Sequence, residues 1–255
     1  MGLGLERRLL FRSGIWEIAR PRTPLTEGHV LIRLSDPATP FESASASDWL
    51  FCHTVARHAL SEVLGSTRCA LMFAHRWHPL GAAIGEPVAE SSTPTFHLFG
   101  RWDGERTTPG GQLGLPAHRR VAPGPLVELD IRMRGALRRA AQSSSTSGAP
   151  LELLPAPFPR VRSGVPVHPA GVRHTVLAPE PAVASIADLT PSAVLALGAA
   201  VERLPSGSGI SGFSCVASEG GSAGLELHVL GRSAAEAANP LERLLSSSEV
   251  SLALL

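Results

Sequence analysis

The 255-residue chain has no lysine; its fixed positive charge is all arginine. It holds 23 basic and 22 acidic residues, a net charge of +1. So even a balance leaves no electrostatic footprint for nucleic acid or for an acidic membrane surface. The sequence is rich in Ala, Gly, Pro and Arg, and that compositional bias accounts for the missing lysine without a special role for arginine. Cysteine is scarce as well. Cys52, Cys69 and Cys215 are odd in number, widely spaced and form no C-x-x-C. That excludes a disulfide framework or a zinc–thiolate cluster and fits a reducing cytoplasm. No apolar run is long enough to span a bilayer, and none of signal-peptide type follows the charges at Glu6, Arg7 and Arg8. What remains is a globular mixture, 44% hydrophobic and 18% charged. Its length suits one large domain or two small ones, with a sizeable core.

One pattern is written twice. Phe96-His97-Leu98-Phe99-Gly100-Arg101 returns as Leu227-His228-Val229-Leu230-Gly231-Arg232, 131 residues further on. An echo at about half the chain length points to an internal duplication. The surrounding elements repeat in the same order. One or two short strands are expected within residues 5–20, and His29–Leu34 reads as a strand closed by Ser35-Asp36-Pro37. A helix capped by Ser45 or Ser47 follows and ends at Gly65. Cys69–Phe73 is a buried strand. A Pro/Gly-punctuated excursion from His75 to Pro94 then leads into the strand bearing His97. In the second half, Arg173–Leu177 reads as a strand. Thr190 caps a helix with Pro191 at its first position. Gly212–Val216 is a strand, and a Gly-rich turn from Ser218 to Gly224 leads into the strand bearing His228. Between the halves lie a Gly/Pro-rich stretch, an amphipathic segment over 129–141, and Ser143–Gly148, which reads as a flexible linker. This gives a first repeat at 1–115, a connecting segment at 116–150 and a second repeat at 151–255.

Several residues carry candidate chemistry. His97 and His228 are either structural groups hydrogen-bonded within a sheet or proton donors and acceptors facing a pocket. Glu226 lies two residues before His228, so in a strand the two share a face. Such a pair can do acid–base work, because each group tunes the other. His75 and His78 read either as exposed loop residues or, with His97, as holders of zinc or another divalent ion that would activate water. The turn containing Ser218, Gly221 and Ser222 can offer backbone N–H groups to an anion. Arg101 and Arg232 either bind substrate or cap the strands they follow. Cys52, His53 and His58 read as a helical surface, and His118, His168 and His174 have no evident partner in sequence.

The segment Phe213–Gly221 followed by Gly224–Arg232 resembles the strand, turn and triad strand of the histidine-triad superfamily. Pro24-x-x-x-Gly28-His29-Val30-Leu31-Ile32 resembles that family's entry strand. Two such units in one chain are similar to the galactose-1-phosphate uridylyltransferase branch, in which the repeats are fused. The resemblance implies an α+β fold. Each repeat would be an antiparallel sheet with a packed helix, and the two would form an intramolecular pseudo-dimer. In the family, histidines at i, i+2 and i+4 line one face of a strand, and the central one attacks phosphorus. Here His228 aligns with the third histidine, which leaves Glu226 at the nucleophile position and Gly224 at the first. His97 likewise leaves Thr95 and Thr93. A carboxylate repels phosphate. The expectation is therefore a divergent enzyme using Glu226, His228 and His97 for acid–base chemistry, with Thr95 among the substrate-binding groups. It would act on a small metabolite bearing a nucleotide or sugar phosphate, as a monomer or homodimer, with no nucleic-acid or membrane partner. A catalytically inactive nucleotide-binding module, or nucleotidyl transfer through a histidine outside the motif, stands beside it.

Overall fold

Short apolar runs bounded by turn residues make strands of the segments around each histidine. The computed structural model describes residues 8–76, 95–146, 159–170, 173–205, 209–219, 224–233 and 247–254. In chain order the strands are β1 (Leu9–Arg12), β2 (Trp16–Ala19), β3 (His29–Leu34), β4 (Arg68–His75), β5 (Thr95–Arg101), β6 (Arg160–Gly164), β7 (His174–Glu180), β8 (Gly212–Ser218) and β9 (Glu226–Arg232). The helices are α1 (Ser43–Leu64), α2 (Pro109–Leu113), α3 (Val127–Thr146), α4 (Pro191–Glu202) and α5 (Ser248–Leu254).

The strands form one antiparallel sheet in the order β1-β2-β3-β5-β4-β8-β9-β7-β6. Its middle is the β4–β8 pair, with Met72 opposite Val216 and Phe73 opposite Cys215. The two halves of the chain therefore share one hydrogen-bonded ladder. Reading outward from that pair, the order is β4, β5, β3 on one side and β8, β9, β7 on the other. Alternate residues face opposite ways, and each face has its own core. On one, Val30, Ile32, Leu71, Leu98, Cys215, Leu227 and Val229 pack with residues of α1, α3 and α4. On the other, Met72, Phe99, Val216 and Leu230 pack with Leu113 of α2 and with Val250 and Leu254 of α5. His29, His97, His174 and His228 belong to this second face by alternation.

The helices correct several expectations. The start of α1 precedes the expected serine caps: Glu42 is the N-cap and makes no side-chain cap bond. Ser45 lies inside the helix, and its carbonyl accepts the indole N–H of the fully buried Trp16 at 2.9 Å. Gly65 closes α1 at φ 70°, a left-handed geometry suited to glycine. Cys52 and His53 are buried rather than on a helical surface, because α1 is the central helix of its layer, touching the sheet, α3 and α4. His58 alone of the three is exposed. The serine run at 143–146 is the last turn of α3, not linker, and Ser143 Oγ bonds back to the Arg139 carbonyl at 3.1 Å. Thr190 does cap α4, accepting from Ala193 N–H at 3.2 Å, with Pro191 at the first position. No helix among the described residues is long and apolar enough to cross a membrane.

Candidate functional site

Each half holds one buried histidine pair, built by the same register. In the first half β3 runs beside β5, with Leu31 opposite His97. His29 Nε2 lies 3.1 Å from His97 Nδ1. In the second, β7 runs beside β9, with Val176 opposite His228. His174 Nε2 lies 3.0 Å from His228 Nδ1. The loop entering each pair is matched too. Leu25 N–H donates to His29 Nδ1 at 3.2 Å, and Ala170 N–H donates to His174 Nδ1 at 3.0 Å. None of the four imidazoles is more than 3% exposed.

The backbone donor sets the protons of the whole chain of groups. An Nδ1 that accepts carries no hydrogen, so a neutral imidazole holds its proton on Nε2. His29 Nε2–H therefore donates to His97 Nδ1, and His97 in turn keeps its proton on Nε2. Burial holds His29 well below the usual histidine range, with the neighbouring His97 and Arg20 adding to the effect. Burial alone brings His97 down to about 3. The same logic in the second half sends His174 Nε2–H to His228 Nδ1 and leaves the His228 proton on Nε2.

The halves differ in what lies beyond. His228 Nε2 is 3.9 Å from a carboxylate oxygen of Glu226, whose side chain is 26% exposed. In the first half the corresponding position is Thr95, and among the described residues no carboxylate pairs with His97. Register also sets Ser218 opposite Glu226. Glu219, the next residue, turns to the helix face. There it accepts from Ile186 N–H at 3.0 Å and lies 3.6 Å from Arg57 and 3.7 Å from His53. Its burial raises its carboxyl above the usual range, against the pull of Arg57.

Arg20 locks the entry loop of the first pair. Its guanidinium donates to the carbonyls of Glu27 and His29 at 2.8 and 2.6 Å and to Asp130 of α3 at 2.8 and 3.0 Å. The connecting segment thus holds β3 in place. Gly28 is required here, since a Cβ would sit 2.7 Å from the Gly100 carbonyl.

The remaining sequence candidates fall as follows. Arg101 is buried, its side chain paired with Glu105 and its N–H donating to Ser66 Oγ. Arg232 is buried too and donates to Ser214 Oγ at 2.9 Å. Both are engaged within the protein. His75 ends β4 on the face of Leu71 and Phe73, whereas His97 is on the opposite face. The sheet therefore separates His75 from His97, and the shared metal site expected from sequence is not assembled by them. Among the described residues no three His, Cys, Asp or Glu side chains converge as metal ligands. His78, Gly221 and Ser222 lie outside the described residues. The three cysteines are free and buried.

Sequence reasoning missed His29 and His174 as site residues. A signal existed: each opens a strand in its half of the chain, four residues after the backbone donor that fixes it.

No family model and no curated protein matches the chain. Solved structures similar to it in fold include two with low TM-scores. One is a uridylyltransferase, 12% identical with a TM-score of 0.41, aligned over 86% of this chain and 74% of that one. The other is a uridylyltransferase mutant, 11% identical with a TM-score of 0.43, aligned over 86% and 77%.

Proposed function

We propose that the chain is a divergent histidine-triad-like enzyme built as an intramolecular pseudo-dimer, with its working site in the second repeat. The observation that carries this reading is the repeated backbone–His–His relay that ends, in one half only, beside a partly exposed carboxylate. Support for two fused repeats comes from the matched strand order and from paired hydrogen bonds. Gly100 N–H bonds to the Gly28 carbonyl as Gly231 N–H bonds to that of Arg173. Thr67 and Ser211 each bond to the carbonyl of the arginine that ends the neighbouring histidine strand.

The chemistry follows from the tautomer. Glu226 is the group a small molecule can reach, and as a carboxylate it accepts a proton. His228, held neutral-side-out by His174, offers an Nε2–H to negative charge developing at the same spot. A carboxylate base and a fixed hydrogen-bond donor together suit proton abstraction with stabilisation of the resulting anion. Neither makes a nucleotidyl–histidine intermediate, because His228 Nδ1 accepts from His174 and its Nε2 carries the proton. The substrate class, a small metabolite bearing a nucleotide or sugar phosphate, rests on the family resemblance of the strand and turn around residues 213–232.

The test is a panel of nucleotides and sugar phosphates followed by phosphorus NMR, with binding read in parallel by thermal shift. Glu226→Gln is expected to keep the thermal shift and lose turnover by at least 100-fold. His174→Phe, which removes the relay and keeps the ring volume, is expected to lower turnover about tenfold or more. Ligand-induced shifts with no turnover of any compound would favour a binding module instead. A protein mass increased by one nucleotidyl group in quenched reactions would overturn the acid–base assignment.

A further inference from the structure

The helix face holds a feature that the histidine relay does not use. Helix α1 packs on β2, β3 and β5, helix α4 packs on β6 and β7, and the two helices touch one another. Between them and the strands is a cavity of about 480 Å³. That is within the range of small-molecule sites, about 300–1,000 Å³. Its walls are mainly apolar and come from both halves: Trp49 of α1, Leu71 and Phe73 of β4, Leu197 and Gly198 of α4, and Leu227 of β9. Helix α4 contributes Gly198 and Ala199 to this wall beside its larger apolar side chains. A Cβ placed on Gly198 would meet no atom within 4 Å.

The polar side chains in this wall are those of Trp49, His75, Arg76 and Glu202. Trp49 is 3% exposed, and its indole N–H is buried with no acceptor among the described residues. His75 Nε2 is also buried and has no hydrogen-bond partner among the described residues. Arg76 lines the same cavity and has its backbone in the left-handed region, φ 53°, which is unusual for a residue with a Cβ. Gly212 packs against it so closely that a Cβ would sit 2.4 Å from the Arg76 carbonyl. The acidic group in the wall is Glu202, which is exposed. A buried indole N–H without an acceptor among the described residues, in a mainly apolar chamber, calls for a ligand that brings the acceptor.

We propose that this cavity is a binding site for an amphipathic carboxylate. The apolar body lies between α1, α4 and β4, and the carboxylate sits at the end marked by His75 and Arg76. The site is independent of the acid–base reading, because Glu226 and His228 are on the other face of the sheet.

Dodecanoate and 1-dodecanol are the probes, titrated against the full-length chain by calorimetry and by the change in tryptophan emission, since Trp49 is in the wall. Dodecanoate is expected to bind at least tenfold more tightly than the alcohol. Gly198→Leu fills the chamber without a backbone clash and is expected to abolish binding while the melting temperature holds or rises. Arg76→Asn, which tolerates the same backbone geometry, is expected to weaken dodecanoate about tenfold and leave the alcohol unchanged. Glu226→Gln is expected to bind dodecanoate as the unaltered protein does. Equal affinity in Gly198→Leu, or no preference for the acid over the alcohol, would overturn the proposal.

Discussion

Three buried imidazoles, His29, His53 and His97, have a measurable cost in acid. His29 is held well below the usual histidine range, and His53 and His97 are brought down to about 3, in each case chiefly by burial. Between the ordinary histidine value of 6.5 and those lowered values, the unfolded chain binds protons that the folded chain refuses. Stability therefore rises with pH through that window. It is fully present above it and is lost as the pH falls from about 6.5 towards 3, at about 1.4 kcal/mol per pH unit for each such histidine. Urea unfolding between pH 7.5 and 4 should show this loss, and the double variant His29→Leu/His97→Leu should show a shallower slope by about two protons. An unchanged slope in that variant would contradict the burial account. At this scale the sequence was partly legible. Glu226 and His228 share a strand and sit two apart, so their common face follows from the pleat alone. His174 and His228 meet across a register 54 residues long in sequence, which no local pattern reveals.

The elements show where local rules suffice. Strand β3 was expected at His29–Leu34 and is found there, because it is an apolar run bounded by Gly28 and by Ser35-Asp36-Pro37. Helix α4 begins where Thr190-Pro191 says it must. Two substitutions in this helix should move stability in opposite directions. Thr190→Ala removes the acceptor of the Ala193 N–H and should cost about 1 kcal/mol. Gly198→Ala relieves the conformational freedom of a helix-interior glycine at a site with open space and should add about 0.5–1 kcal/mol. Chemical denaturation of the two variants checks both signs. Local rules failed at α1 and at the serine run. Serine is a strong N-cap, yet Ser45 is drawn inside α1 by contact with Trp16, and Ser143–Thr146 stay helical at the end of α3. In both places the surrounding helix, rather than residue preference, decides.

At the scale of the whole molecule, the β4–β8 pairing and the contact of α1 with α4 make the two halves one packed body. Unfolding should then be a single transition. All four tryptophans, at 16, 49, 77 and 102, are in the first half. Their emission reports that half, while far-ultraviolet circular dichroism reports the entire sheet. The two signals should give one coincident midpoint in urea, and separated midpoints would show that the halves unfold independently. The doubled histidine motif and the order of elements around it were readable from the chain, because apolar alternation and turn residues act over a few positions. Which strands became neighbours was not, because register between distant segments is decided by burial on both faces at once. That cooperative choice closed the histidine pairs, placed Glu226 beside His228, moved His75 to the far side of the sheet from His97, and left a chamber beneath α4.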